Sequence, residues 1–209
     1  MKNLVYFLVY FLLSNISFSK EIYFDLIPRK NIERIETWKS RRDSQVVKQM
    51  FDYSCGAASI ATLLTYYFND EYSEYEILEQ LNSKDAAASF DDMKKLLYAF
   101  GYDAQGYSIS FNQLLKIKIP VILFIRQKNN NHFVVLRGIN ESYVHVSDPS
   151  YGNVVYTKEQ FLRRWETRND SKQAGKILAV VKQDGKYNDK FFLKPLLVKP
   201  SKSIIFNNV

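Results

Sequence analysis

The chain has 209 residues, 46% hydrophobic and 24% charged, the balance of an ordinary globular domain, which excludes wholesale disorder and a bundle of membrane spans. Tyr and Phe number 15 each against 7 Gly and 5 Pro, so flexible-linker and collagen-like sequences are excluded as well. The charge of +7 comes from scattered Lys and Arg, with no dense basic run among stacking aromatics, and no nucleic-acid partner is expected.

Lys2 precedes the uncharged run from Leu4 to Leu13, and Ser14-Asn15-Ile16-Ser17-Phe18-Ser19 follows with small residues at alternate positions. That is the three-part pattern of a secretory signal peptide (1–19) cleaved after Ser19. The apolar run is half of the roughly 20 residues a membrane span needs, so no stable span is expected after cleavage. The working protein is expected on the periplasmic or extracellular side.

A lead-in (20–45) follows, where Ile32, Ile35 and Trp38 are spaced like a short amphipathic helix. From Cys55 to about Phe68 apolar residues cover most of a helix surface, which predicts a buried core helix. Ser73 with Glu76 opens a helix to about Asn82, and Ser89 with Asp91 and Asp92 opens another that stops at Gly101. A Ser110-capped turn runs through Leu115. Then the texture changes to strands at Pro120 to Ile125, His132 to Leu136, Tyr143 to Val146, Val154 to Tyr156 and Lys176 to Val181, with a turn at Asn129 to Asn131. A helix from Thr157 to about Arg164, with its own Thr-x-x-Gln cap, interrupts them. Helices first and hairpin-linked strands later predict an α+β domain with an antiparallel sheet. The segment 183–209, with its Phe191-Phe192-Leu193 and Ile204-Ile205-Phe206 clusters, lies beyond that domain (46–182) as a C-terminal extension.

One Cys excludes a disulfide framework and a zinc site made of several thiolates, two His leave a conventional His-rich metal site nearly out of reach, and no metal or cofactor is expected. In an exported protein a lone thiol is either reactive or a liability. Cys55 stands where a loop becomes the buried helix, so its sulfur meets the unpaired N–H groups and positive dipole end of a helix start, where negative charge is favoured. The alternative is a buried structural cysteine. A thiolate nucleophile needs a base, and only His132 and His145 are available. His145 lies inside a strand, whereas His132 opens one after a polar turn, so His132 is the candidate. Asp148, ahead of Pro149 at the end of the neighbouring strand, can orient the imidazole. Gln49 and the Cys55 amide can donate to an oxyanion.

The order Gln49, Cys55-Gly56-Ala57-Ala58, His132-Phe133-Val134-Val135 and Asp148-Pro149 with Gly152 resembles the peptidase C39 family of papain-like cysteine proteases, known mainly as leader-processing domains of peptide exporters. The resemblance covers roughly 46–179 and implies a papain-like fold, N-terminal helices packed on a C-terminal antiparallel sheet. It also implies Cys-His-Asp catalysis on a peptide or secreted-protein substrate, with Gly56, Tyr53 and Phe133 against that substrate. The chain has no Walker motif, and Ser54 stands where exporter domains often carry Asp. It is most similar to freestanding, secreted members found beside surface-export systems, including those for functional amyloid fibres, so a secretion-system component is a further expected partner. A papain-like cleft that binds a segment without cutting it, as an adaptor would, is the alternative, and acyl transfer on the same triad is a third class.

Overall fold

Among the described residues four helices precede the sheet, two of them opening on the capping signals that predict them. The computed structural model describes residues 37–81, 88–127, 130–170, 172–182, 185 and 187–193. After a short helix α1 (Trp38–Arg42) come α2 (Cys55–Tyr66), α3 (Glu74–Gln80) and α4 (Phe90–Ala99). Ser73 and Ser89 form complete capping boxes with Glu76 and Asp92, each reciprocally satisfying two N–H groups of a helix start. Every residue of α2 from Cys55 to Leu64 is buried, the all-round burial that its apolar sequence predicts. The signal segment, Ile32 and Ile35, Asn129, and the extension beyond Leu193 lie outside the described residues.

The strands are β1 (Asp103–Ile109), β2 (Ile122–Gln127), β3 (Asn130–Ile139), β4 (Tyr143–Asp148), β5 (Gly152–Thr157) and β6 (Gly175–Val181), with α5 (Phe111–Leu114) and α6 (Lys158–Trp165) between them. They form one six-stranded sheet in the order β1-β6-β2-β3-β4-β5, antiparallel throughout. β1 is an addition to the expected set. Its Asp, Ala and Gly are poor strand formers and only Tyr107 and Ile109 favour a strand, and it pairs with β6 alone at the sheet edge. The expected Asn-rich turn is corrected too, because Asn130 and Asn131 pair with Gln127 and Arg126. His132 is therefore the third residue of its strand rather than the first.

Alternation along the strands divides the interior into two cores. Phe133, Val135, Leu178 and Val180 face α2 and its neighbouring helices, while Val134, Leu136, Val144 and Val146 pack with Phe161 and Trp165 of α6. Helix α2 is also tied to the sheet by the Ser59 hydroxyl, which donates to the Phe133 carbonyl at 3.1 Å. All these elements belong to the unit that begins at Trp38. Among the described residues no helix is long and apolar enough to cross a membrane.

A β-bulge between Leu136 and Gly138 turns the Arg137 side chain inward, as bulges do. Its guanidinium donates to the Phe191 carbonyl (2.7 Å), Gln45 Oε1 (2.8 Å) and Ser147 Oγ (3.2 Å), and lies 3.9 Å over the Phe191 ring. Burial pushes its pKa down to about 10, so it stays charged at neutral pH. Arg137 thus clasps the segments before α2 and after β6 onto β3, with Phe191 itself fully buried. Arg137→Ala removes these donors and leaves a cavity, and is expected to lower the unfolding free energy by about 2–4 kcal/mol. Urea denaturation reads this directly, and a loss below about 1 kcal/mol would remove Arg137 from that role.

Candidate active site

The His132 and Asp148 side chains meet because their strands are neighbours. Val135 pairs with Ser147, so the start of β3 and the end of β4 lie side by side at one end of the sheet. The ring Nε2 and Asp148 Oδ1 are 2.9 Å apart. Cys55 is the imidazole's other neighbour, near enough to raise its pKa. The three residues come together across the α2 start, the β3 start and the β4 end.

Helix α2 differs from the four helices α3 to α6, each of which opens on a capping box. The side chain of its N-cap residue, Ser54, makes no capping bond; the hydroxyl donates instead to the Phe51 carbonyl at 2.8 Å. First-turn amides left without a side-chain cap favour an anion at the helix start, which is where Cys55 carries its sulfur.

His132 is pulled in two directions. Burial lowers its pKa, while the hydrogen bonds and charges of Asp148 and Cys55 raise it, and the net position is well up, at about 9. The second histidine behaves oppositely. His145 is held down at about 4 by burial and by the nearby Arg137 charge, so it stays neutral and stands apart from the Cys55 partnership.

Asp148 is fully buried. Its Oδ1 also accepts from the backbone N–H of Ser150 (2.8 Å) and Tyr151 (3.2 Å), so the turn that follows the strand fixes the carboxylate. Gly152 closes that turn at φ +85°, a conformation that disfavours side chains, and a Cβ there would lie 2.6 Å from the Arg42 carbonyl.

Gln49 lies on the loop leading into α2. Its Nε2 donates to the Phe51 carbonyl (2.9 Å), its Oε1 accepts from Ser150 Oγ (2.9 Å), and its backbone N–H donates to the Pro149 carbonyl (3.1 Å). The loop is pinned from the other side by Glu74, a buried carboxylate accepting the Met50 N–H at 3.0 Å. Sequence reasoning missed Glu74 and Ser150. An acidic residue in a helix's first turn and a serine in a turn both read as ordinary surface features.

Of the residues expected against a substrate, Tyr53 stays near the surface, stacked on Phe51 at 5.5 Å. The other two lie in the interior. Phe133 is buried, packed edge-on to Phe124, and the space left by the absent Gly56 side chain is filled by Met93, whose Cε lies 2.4 Å from where a Cβ would be. Cys55 itself is 2% exposed, so a peptide carbonyl reaches the sulfur only as neighbouring side chains give way. Among the described residues no group of three or more His, Cys, Asp or Glu is arranged to hold a metal ion.

The model of the peptidase C39 family matches residues 43–168, a span that holds Gln49, Cys55, His132 and Asp148. The chain belongs to the peptidase C39 family. Among curated proteins, this C39 chain is 34% identical over 140 residues to the probable functional amyloid protease FapD of Pseudomonas fluorescens, and 31% identical over 140 residues to its namesake in Pseudomonas aeruginosa. Each alignment covers 64% of this chain, and the chain spans about 62% of the length of those relatives. Among solved structures, a double-glycine-motif protease from an AMS/PCAT transporter, crystallised with its leader peptide, superposes with a TM-score of 0.55 at 28% identity, over 65% of this chain and 89% of that one. The peptidase domain of Streptococcus ComA superposes at 0.56 with 17% identity, over 66% of this chain and 98% of that domain, a likeness of fold. The C39 fold here is thus papain-like, helices packed on an antiparallel sheet.

Proposed function

We propose that this protein is an exported cysteine endopeptidase that hydrolyses a peptide bond in a secreted protein or a leader peptide. The observation that carries the reading is the single imidazole of His132, hydrogen-bonded to the buried Asp148 carboxylate and close enough to Cys55 for the thiol to raise its pKa. In the mechanism, Cys55 Sγ attacks the carbonyl carbon as a thiolate while His132 holds the proton. The Cys55 N–H and Gln49 Nε2 stabilise the oxyanion, and His132 passes its proton to the departing amine. Water then hydrolyses the thioester with His132 as base.

Residues 1–19 support export to the periplasmic or extracellular side. Likeness to the Pseudomonas proteins supports a substrate or partner within a functional-amyloid secretion system, a fibre subunit being the first to try. Gln49→Ala is expected to lower kcat by about 10²–10³, read from fragments mapped by mass spectrometry after incubation with candidate secreted substrates. Unchanged turnover would remove Gln49 from the oxyanion site.

The low exposure of Cys55 favours one other reading, a papain-like module that binds an extended segment without cutting it. Alkylation of Cys55 at neutral pH far faster than free cysteine supports the enzyme. A sluggish thiol together with tight peptide binding supports the module.

A further inference from the structure

The turn after Asp148 does more than hold the carboxylate. All three polar groups of Ser150 are used: its N–H donates to Asp148 Oδ1 (2.8 Å), its hydroxyl donates to Gln49 Oε1 (2.9 Å), and its carbonyl accepts from Lys48 Nζ (2.7 Å). The neighbouring Pro149 carbonyl takes the Gln49 backbone N–H at 3.1 Å. Two segments about a hundred residues apart in sequence are therefore stitched together by three bonds, and one residue touches both the acid that orients His132 and the amide of Gln49.

The two ends of a glutamine amide differ in chemistry, not shape, so a loosely held side chain can present its oxygen where its nitrogen is needed. Here the Phe51 carbonyl decides the matter. It can only accept, so Nε2 must face it, and Ser150 Oγ is left to donate to Oε1. Of the two Nε2 hydrogens, Phe51 takes one, and the other is the one a developing oxyanion can use. A flip would turn a carbonyl oxygen toward that oxyanion.

We infer that Ser150 is a positioning residue of the peptidase: its hydroxyl anchors the Gln49 amide, whose orientation the Phe51 carbonyl sets, in the place from which it donates to the oxyanion, while its backbone holds Asp148. The inference rests on the peptidase reading above. It separates two functions of one residue, because Ser150→Ala deletes the hydroxyl and keeps the N–H to Asp148. The Cys55–His132 pair is untouched, and only oxyanion stabilisation suffers.

The test uses the full mature chain with two thiol probes. Iodoacetamide alkylates the thiolate without forming an oxyanion. A p-nitrophenyl ester acylates it through a tetrahedral oxyanion that collapses to a thioester as p-nitrophenolate leaves. Ser150→Ala is expected to slow acylation by about 5- to 20-fold, the worth of one hydrogen bond to a donor that is itself worth more, while alkylation keeps the wild-type rate. Ser150→Thr, which retains the hydroxyl, restores acylation, and Ser150→Ala adds nothing in a Gln49→Ala background. Wild-type acylation in Ser150→Ala, alkylation falling in step with acylation, or additive losses with Gln49→Ala would each overturn the inference. Failure of the peptidase reading shows separately, as a wild-type thiol that the ester acylates no faster than the Cys55→Ala background.

Discussion

Cys55→Ala is expected to abolish peptide-bond cleavage, a loss on the order of 10⁴–10⁶ in kcat as for other enzymes stripped of a triad nucleophile, while the fold persists. Cys55 is the chain's single cysteine, so no second thiol can substitute, and the remaining groups have nothing to deliver to a carbonyl carbon. Little else changes. The residue is small and buried against alanines and other apolar neighbours, so removing its sulfur alters stability by about 1 kcal/mol. Fragment yields from a secreted substrate and a melting curve, measured on the same preparation, separate the two effects. Equal cleavage by wild type and variant would dismiss Cys55 as nucleophile whatever the geometry around it.

Asp148→Asn is expected to cost about 10³–10⁴ in kcat, as loss of the orienting charge does in related triads. The substitution keeps the shape, and an Asn oxygen can still accept the Ser150 and Tyr151 N–H groups that now bond Oδ1. What disappears is the negative charge beside Nε2. His132 stands at about 9 because Asp148 and Cys55 together outweigh the burial that pushes it down, so without Asp148 its pKa falls. Protonated His132 is the acid that releases the amine, so the alkaline limb of the rate profile lies near pH 9 in the wild type and moves to lower pH in the variant. Stability follows the same sign. A folded-state value raised above the ordinary 6.5 contributes stability that is fully present below that value and is lost as pH rises through about 9. Melting temperatures between pH 6 and 10 should therefore decline for the wild type and flatten for Asp148→Asn. An unshifted alkaline limb would contradict the charge's role.

Where chemistry is scarce or local, the residues were legible. Capping boxes need only a serine or threonine and an acid or amide three residues on, and Ser73, Ser89 and Thr157 each open a helix where expected, while the turn expected at Ser110 is a single capped helical turn. With one Cys and two His in the chain, a thiol–imidazole pair had two possible members, and strand position favoured His132. Strand β1 was not legible, because its Gly, Ser and Gln owe their conformation to β6 rather than to any preference of their own. The burial of Phe133 follows from strand periodicity, which sets it with Val135 on the α2 side of β3. The packing at Gly56 carried no local signal, because the partner filling its space, Met93, is distant in sequence. Ser150 and Glu74 carried no local signal, since their bonds to Gln49 and Met50 exist only once the turn, the loop and α3 are assembled.

The proposed chemistry needs an imidazole placed between a carboxylate and a thiol, and the chain offers a direct view of it, because His132 and His145 give just two ring signals. An NMR titration of isotopically labelled histidine is expected to show His145 titrating near 4 and His132 near 9, with the His132 value falling in Cys55→Ala while His145 stays in place. A His132 that titrates near 6.5, the ordinary value, and ignores the loss of the Cys55 sulfur would contradict the pairing on which the proposed activity depends.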